Sequence, residues 1–190
     1  VIIIADMPPE DSNIRRMVDQ MHAYFPEAQV VNLRELRFGP CRGCMKCGFD
    51  NQCAYEGTDD FNEMYRSSVL PADIIIFAGA LQHRYFSSEW QKYLERSFVR
   101  THQTVLMNKQ ICFLVSGPLS QNHNAQEVIR GYTETMQGNL VSIISDDSPT
   151  FLSSSDSAII DRQIEHSAYT LSSFAEKRVS APNSFLGVGG

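Results

Sequence analysis

Five short aliphatic runs, each followed by a segment with apolar residues at helical spacing, constrain this sequence more than any other feature. The plainest run lies within residues 72–78, where three isoleucines and a phenylalanine follow Asp73. Continuous aliphatic runs of this length are typical of strands buried on both faces of a parallel sheet. The predicted strands are residues 1–4, 28–33, 72–78, 110–115 and 140–144, and the predicted helices begin near Ser12, Asp59, Ser87, Ala125 and Asp156.

Strict alternation of strands and helices implies a parallel sheet with helices on both faces and right-handed crossovers. Five strands fit a flavodoxin-like three-layer α/β sandwich with the strand order 2-1-3-4-5. In that order, ligands bind beyond the carboxyl ends of strands 1 and 3, where the strand order reverses. The predicted binding rim therefore comprises residues 6–13, 79–86 and 116–121. We expect residues 1–190 to form one such domain, with a cysteine-rich loop at 34–57 inserted after the second strand.

Composition excludes several classes of protein. The chain has 190 residues, 43% of them hydrophobic, and a formal net charge of −6. That acidic balance argues against a duplex nucleic-acid binder. No apolar run approaches the roughly 20 residues of a membrane-spanning helix, and we find no targeting signal. If the cysteines of the loop bind an iron–sulfur cluster, they need a reducing compartment, and on that ground we expect a cytoplasmic protein. The sequence starts inside a strand and stops without a closing element, as a piece truncated at both ends would.

Four of the five cysteines fall in one short run with the spacing Cys-x2-Cys-x2-Cys-x5-Cys, at Cys41, Cys44, Cys47 and Cys53. Two consecutive gaps of two residues wrap a loop around a compact inorganic core, and bacterial ferredoxins use the same repeated gaps. The spacing therefore predicts a [4Fe–4S] cluster with these four thiolates as ligands. A zinc ion, disulfide bonds and a reduced loop without metal are the alternatives.

The cysteine run also carries a family resemblance. Residues 40–47, then Cys53 and Asp59-Asp60-Phe61, resemble the cysteine segment of the iron–sulfur flavoproteins, which belong to the flavodoxin-like NAD(P)H-dependent FMN reductase superfamily. Residues 72–78 and 91–96 resemble that family's third strand and following helix, and the glycine-rich residues 185–190 resemble a segment near its C-terminus. The resemblance implies FMN at the rim, a nearby [4Fe–4S] cluster that exchanges single electrons with the flavin, and NAD(P)H as a possible donor.

The resemblance further implies which residues surround the flavin, and it implies no catalytic side chain because the flavin carries the chemistry. Family members commonly self-associate, so we expect a homodimer or homotetramer with a small-molecule or protein redox partner, and neither nucleic acid nor membrane as a partner. The implied FMN-binding residues are Pro8, Ser12, Asn13, Ile14, Ala80, Leu81, Gln82, His83, Arg84, Tyr85, Ser116, Gly117 and Pro118.

The first of these loops departs from the family pattern, which reads roughly Gly-Ser-Pro-Arg-x-x-Ser-Asn-Thr. The positions of the glycine, first serine, arginine and threonine hold Asp6, Met7, Pro9 and Ile14. Proline removes a backbone N–H and the added acids oppose a dianionic phosphate, although the helix N-terminus still offers unpaired N–H groups. Arg15 and Arg16 are the residues that could compensate, and this departure predicts weaker phosphate binding.

Four functions are therefore compatible with the sequence. The leading hypothesis is an FMN-dependent oxidoreductase that carries a [4Fe–4S] cluster and moves electrons between NAD(P)H or a protein donor and an acceptor. The alternative is a cluster-free NAD(P)H-dependent FMN or quinone reductase. A second alternative is a flavodoxin-like binding module that has lost FMN, and a zinc-stabilised interaction domain is a further option.

Overall fold

The computed structural model describes residues 1–10, 12–100, 103–148, 150 and 152–182. The predicted helix-capping residue Asp11 and the glycine-rich residues 185–190, which carry part of the family resemblance, lie outside the described residues. No helix within the described ranges is long and apolar enough to cross a membrane.

The central sheet confirms the predicted fold. Its main path runs β2-β1-β3-β5-β6, all parallel, which is the predicted order of the five long strands. A short sixth strand, β4, pairs with β3 in the antiparallel direction. Aliphatic side chains fill both faces of β1 and β3, as the continuous runs predicted. The strands are β1 (Ile2–Ala5), β2 (Gln29–Asn32), β3 (Ile74–Gln82), β4 (Tyr85–Phe86), β5 (Gln110–Ser116) and β6 (Asn139–Ser145).

The helices pack on the sheet as two layers. One layer holds α1 and α6, and the other holds α3, α4 and α5. The stretch 34–57, predicted as irregular, contains the short helix α2, and a π-helical turn follows α3 at Tyr65–Val69. The helices are α1 (Asn13–Tyr24), α2 (Cys47–Asp50), α3 (Phe61–Met64), α4 (Ser88–Ser97), α5 (His123–Thr135) and α6 (Ser154–Glu176).

Two apolar cores lie between the sheet and the helices, one on each face of the sheet. Ile3 and Ile76 face α1 and α6, where Met17 and Ile164 are buried. The opposite core is aromatic, because Phe77 on the other side of β3 meets rings from α4 and α5. This division follows from the alternation of side chains along each strand. The loops at the carboxyl ends of the strands lie at one edge of the sheet, between the two helical layers.

A polar side chain caps the N-terminus of each of the four long helices. Each of these side chains accepts a hydrogen bond from the backbone N–H three residues later, a cap that contributes about 1 kcal/mol of stability. Since three of these helices begin close to the carboxyl end of the preceding strand, the caps also fix the loops of the predicted rim. The capping pairs are Ser12 with Arg15, Ser87 with Trp90, Asn122 with Ala125 and Ser153 with Asp156.

Candidate functional site

The turn after β1 is held by side chains from the end of β2. Asn32 donates its amide to the Met7 carbonyl and accepts from the Met7 N–H, both at 3.2 Å. Asp6 lies beneath the turn with 2% exposure, and its carboxylate pairs with Arg34 Nε at 2.5 Å. The predicted repulsion between Asp6 and a phosphate is therefore reduced, because Arg34 already neutralises that charge.

Arg15 is the cationic side chain that reaches this turn. Its Nη2 donates to the Pro8 carbonyl at 2.6 Å, while its buried Nε has no hydrogen-bond partner among the described residues. Arg16 turns the other way, and its Nη2 donates to Ser157 Oγ on α6 at 2.9 Å. The helical period separates the two arginines by about 100°, which is why only the first faces the turn. A buried guanidinium N–H without an acceptor is a ready partner for an anionic oxygen.

Three residues predicted to hold a ligand have structural contacts instead. Ser12 Oγ accepts from the Arg15 N–H at 3.3 Å and so caps α1. The Asn13 amide donates to the Thr150 carbonyl at 2.8 Å and accepts from the Leu152 N–H at 3.2 Å. Ile14 is buried in the core between the sheet and α6. These contacts position the start of α1, and they leave Arg15 and the first backbone N–H groups of the helix to meet a ligand.

The second predicted loop is a β-hairpin. We predicted a strand ending at Ala78 and a loop from Ala80 onwards, but β3 continues to Gln82 and turns back at His83, whose φ of 61° lies in the left-handed region. Ala80, Leu81 and Gln82 are therefore strand residues, and Leu81 pairs with Phe86 and Gln82 with Tyr85. The correction has a local cause: an antiparallel partner only two residues away leaves no aliphatic run of its own in the sequence.

The hairpin presents one aromatic ring and two polar side chains at the rim. Tyr85 keeps 36% exposure, whereas its neighbour Phe86 is buried against Trp90, with ring centroids 6.0 Å apart. His83 and Arg84 are exposed at the turn. Phe86 therefore belongs to the core, and Tyr85 is the ring that a ligand at the rim can contact.

The third loop is closed by a residue that the sequence reasoning missed. Asp146 accepts from Ser116 Oγ at 2.8 Å and from the Gly117 N–H at 2.7 Å. Gly117 has a φ of 114°, and a Cβ there would lie 3.1 Å from the Leu81 Cβ, so this loop touches the hairpin directly. Pro118 follows and precedes the single helical turn Leu119–Gln121. The sequence signal that could have identified Asp146 is the acidic pair Asp146-Asp147. This pair follows the fifth predicted strand, at the edge where the loops of a parallel sheet meet.

The cysteine run does not form a recognisable metal site among the described residues. Cys41 and Cys44 are exposed, Cys47 and Cys53 are half-buried, and within the described ranges no three His, Cys, Asp or Glu side chains are arranged to hold a metal ion. Burial raises the pKa of Cys47, and the charges of the three other thiolates raise it further. The three other thiols therefore act on Cys47, but the described residues give no support for the predicted [4Fe–4S] cluster or for the zinc alternative.

The loop that carries the cysteines is nonetheless anchored firmly to α4. Arg96 donates to the Gly39 carbonyl at 3.1 Å and forms a two-pronged ion pair with Asp59. The guanidinium groups of Arg42 and Arg96 each lie 4.3 Å from the centre of the Tyr55 ring. These contacts fix the course of the cysteine-rich loop over α4.

Comparison with solved structures shows the same fold in flavin-associated proteins. An FMN-dependent NADH-azoreductase from Bacillus anthracis, solved with FMN, has a TM-score of 0.70 and 8% identity over 90% of this chain and 97% of its own. RosB, solved with 8-demethyl-8-formylriboflavin-5'-phosphate, has a TM-score of 0.68 and 14% identity over 93% of this chain and 78% of its own. An NADH:FMN oxidoreductase in its apo form has a TM-score of 0.61 and 15% identity over 90% and 89%.

At these identities the likeness shows the fold, which is flavodoxin-like with a parallel sheet between two helical layers. No protein-family model matches the sequence, and no curated protein is significantly similar to it.

Proposed function

We propose that this protein is an FMN-dependent oxidoreductase without an iron–sulfur cluster, which takes electrons from NAD(P)H and reduces a small-molecule acceptor. The observation that carries the proposal is Arg15, whose buried and unpartnered Nε lies at the turn after β1. In this order of strands, that turn is where a phosphate group binds. Similarity to flavin-associated structures supports the same conclusion.

Each rim segment has a separate task in this proposal. Arg15 binds the phosphate together with the first backbone N–H groups of α1, and so replaces the backbone N–H that Pro9 removes. Tyr85 packs against one face of the ring system, and exposed Arg84 adds positive charge at the hairpin turn. Asp146 holds the third loop against the hairpin through Gly117. When bound, FMN supplies the hydride-accepting chemistry, so the protein itself needs no acid–base residue for that step.

We leave the cluster out because no three metal-ligating side chains are grouped to hold a metal ion among the described residues. This choice favours the cluster-free alternative over the leading hypothesis of the sequence analysis. We expect anaerobically purified protein to show flavin absorption without about four irons per chain. A broad absorption shoulder with that amount of iron would overturn the choice.

Exchanging each of two adjacent arginines for methionine tests the role of Arg15. We expect Arg15→Met to weaken FMN binding by roughly tenfold to a hundredfold, since a charge-assisted contact to phosphate contributes roughly 1.5–3 kcal/mol. Arg16→Met is the matched control, because Arg16 carries the same charge on the same helix but bonds to Ser157. Binding is measured by the quenching of FMN fluorescence in a titration with the full chain.

Riboflavin, which lacks the phosphate, completes this test. Its affinity should fall much less than that of FMN in Arg15→Met, because riboflavin has no phosphate for Arg15 to bind, whereas loss of the bond from Arg15 to the Pro8 carbonyl affects both ligands alike. Equal losses for Arg15→Met and Arg16→Met would show that general positive charge, rather than the placement of Arg15, determines binding.

A second candidate function, a binding scaffold without FMN, is favoured by one observation. The polar groups of Asn13, Ser116 and Gly117 are already bonded to Thr150, Leu152 and Asp146. Polar groups that the chain satisfies by itself give a ligand less to bind. Failure of the purified chain to bind added FMN, together with no oxidation of NADH or NADPH in the presence of a quinone, would support the scaffold.

A further inference from the structure

A groove between α4 and α5 forms a cavity outside the flavin rim. Its volume is about 270 Å³, close to the lower end of the range for small-molecule sites. Tyr85 of the hairpin belongs to both the groove and the rim, and Phe98 and Met136 also line the groove. The lining residues are Tyr85, Gln91, Leu94, Glu95, Phe98, Val128, Gly131, Tyr132, Thr135 and Met136.

Gly131 widens the middle of this groove. It lies in the centre of α5, and a Cβ at this position would meet no atom within 4 Å. Glycine in a helix interior costs about 1 kcal/mol relative to alanine, and here no close packing requires it. The missing side chain leaves the floor of the groove open between Val128 and Thr135, one turn to either side.

A carboxylate lies in this otherwise apolar groove. Glu95 Oε1 accepts from Gln91 Nε2 at 3.1 Å, and Oε2 accepts from the Cys41 N–H at 3.3 Å. In the part of the chain that the structure describes, no cationic group lies within ion-pair distance of Glu95. Its two basic helix neighbours are committed elsewhere, Lys92 to Glu89 and Arg96 to Asp59. A half-buried carboxylate with only neutral donors still has acceptor capacity and an unbalanced negative charge.

Three aromatic side chains line the same groove as Glu95. Tyr85, Phe98 and Tyr132 line the groove, and Phe98 is 57% exposed despite being a phenylalanine. Burial raises the pKa of Tyr132, so this ring stays uncharged at physiological pH. Aromatic faces attract cations, and they do so more strongly where water is excluded. Beneath them, a small void shares Leu94, Val128 and Tyr132 with the groove.

We propose that this groove is a binding site for a small organic cation with an aromatic or branched aliphatic body, such as a quaternary or protonated amine. Glu95 supplies the opposite charge, the three rings supply cation–π contacts, and the space above Gly131 receives the apolar body. The overall charge of −6 attracts the same class of ligand from solution. The groove and the proposed FMN rim share Tyr85, but cation binding requires no flavin.

A pair of isosteric probes tests the proposal. Benzyltrimethylammonium and neopentylbenzene have the same shape and differ by one positive charge. We expect the cation to bind the full chain at least tenfold more tightly than the neutral compound, as measured by ligand-observed NMR without added flavin. Glu95→Gln preserves the shape and an acceptor oxygen, so it should weaken cation binding about tenfold and leave the binding of the neutral compound unchanged.

Two further variants locate the site. Glu165→Gln removes a carboxylate from α6 in the opposite layer and should leave cation binding unchanged, since Glu165 is exposed and distant from the groove. Gly131→Leu should fill the groove and abolish binding of both probes while the far-ultraviolet circular dichroism stays native. Equal affinity of the two probes, or equal effects of Glu95→Gln and Glu165→Gln, would overturn the proposal. All of these measurements are made without flavin, so their outcomes can be interpreted even if the chain fails to bind FMN.

Discussion

Replacing Arg96 by methionine is expected to lower the free energy of unfolding by about 3–5 kcal/mol, because it leaves the buried Asp59 carboxylate without its partner. The Arg96 side chain is 1% exposed and that of Asp59 is 7% exposed. Burial alone would lower the pKa of Arg96, but the hydrogen bond to Asp59 and nearby negative charge raise it instead. The arginine therefore stays charged in the core at any pH at which the protein is folded.

Urea unfolding, followed by circular dichroism, measures this effect, and the double variant reveals its cause. Asp59→Asn combined with Arg96→Met removes both charges, so it should cost clearly less than the sum of the two single substitutions. Arg66→Met is the matched control, since Arg66 also makes two ion-pair contacts, to Glu56 and Glu63, but does so in solvent. That control should have a much smaller effect. Comparable losses for Arg66→Met and Arg96→Met would refute the assignment of the stability to burial.

Loss of Arg96 should also be visible in the cysteine loop. Arg96 holds the Gly39 carbonyl and one face of the Tyr55 ring, so the loop loses its main contact with α4 in the variant. Half-buried Cys53 should then react faster with a thiol reagent, whereas Cys41, exposed already, should react at its original rate. Mass spectrometry of the labelled peptides separates the two cysteines.

The sheet could be predicted from the sequence because strand burial leaves a continuous signal. Ile3 and Ile76 are apolar for the same reason as their neighbours, namely that both faces of a parallel strand are covered. The positions of the long helices followed from the same kind of evidence, since apolar residues recur at the helical period and Ser12 or Ser87 marks the start. These signals are local, so they can be recognised in the sequence without knowing which other elements pack against each strand or helix.

The site was harder to predict because its contacts join distant parts of the chain. Asn13 fits a ligand-binding role in sequence, yet its amide bonds Thr150 and Leu152, more than 130 residues away. Asp146 carries no motif, and only the folded sheet brings it to Gly117. The cysteine spacing, the most specific motif in the chain, predicted a cluster that the described residues do not support, because spacing fixes which arrangements are possible and not which one the surrounding contacts select.

Gly79→Ala is expected to be the most damaging single-methyl change in the sheet. A Cβ at this position of β3 would lie 2.1 Å from Trp90 Nε1 and 2.6 Å from Trp90 Cδ1. The indole has nowhere to go, because the rings of Phe77, Phe86 and Tyr93 pack around it, and its N–H donates to the Ala78 carbonyl at 3.1 Å. Overpacking together with the loss of this hydrogen bond should lower the free energy of unfolding by about 3 kcal/mol.

Trp90 is the only tryptophan in the chain, so its fluorescence reports on the site of the clash directly. In Gly79→Ala we expect the emission of the folded protein to shift to longer wavelength as the indole loses its buried, hydrogen-bonded place. Gly131→Ala is the matched control, because its added Cβ meets no atom and replaces a helical glycine, so it should raise stability by up to about 1 kcal/mol without changing the emission. Unchanged emission and stability in Gly79→Ala would contradict the close contact between Gly79 and Trp90. The hairpin that extends β3 to the rim would then be positioned by another contact.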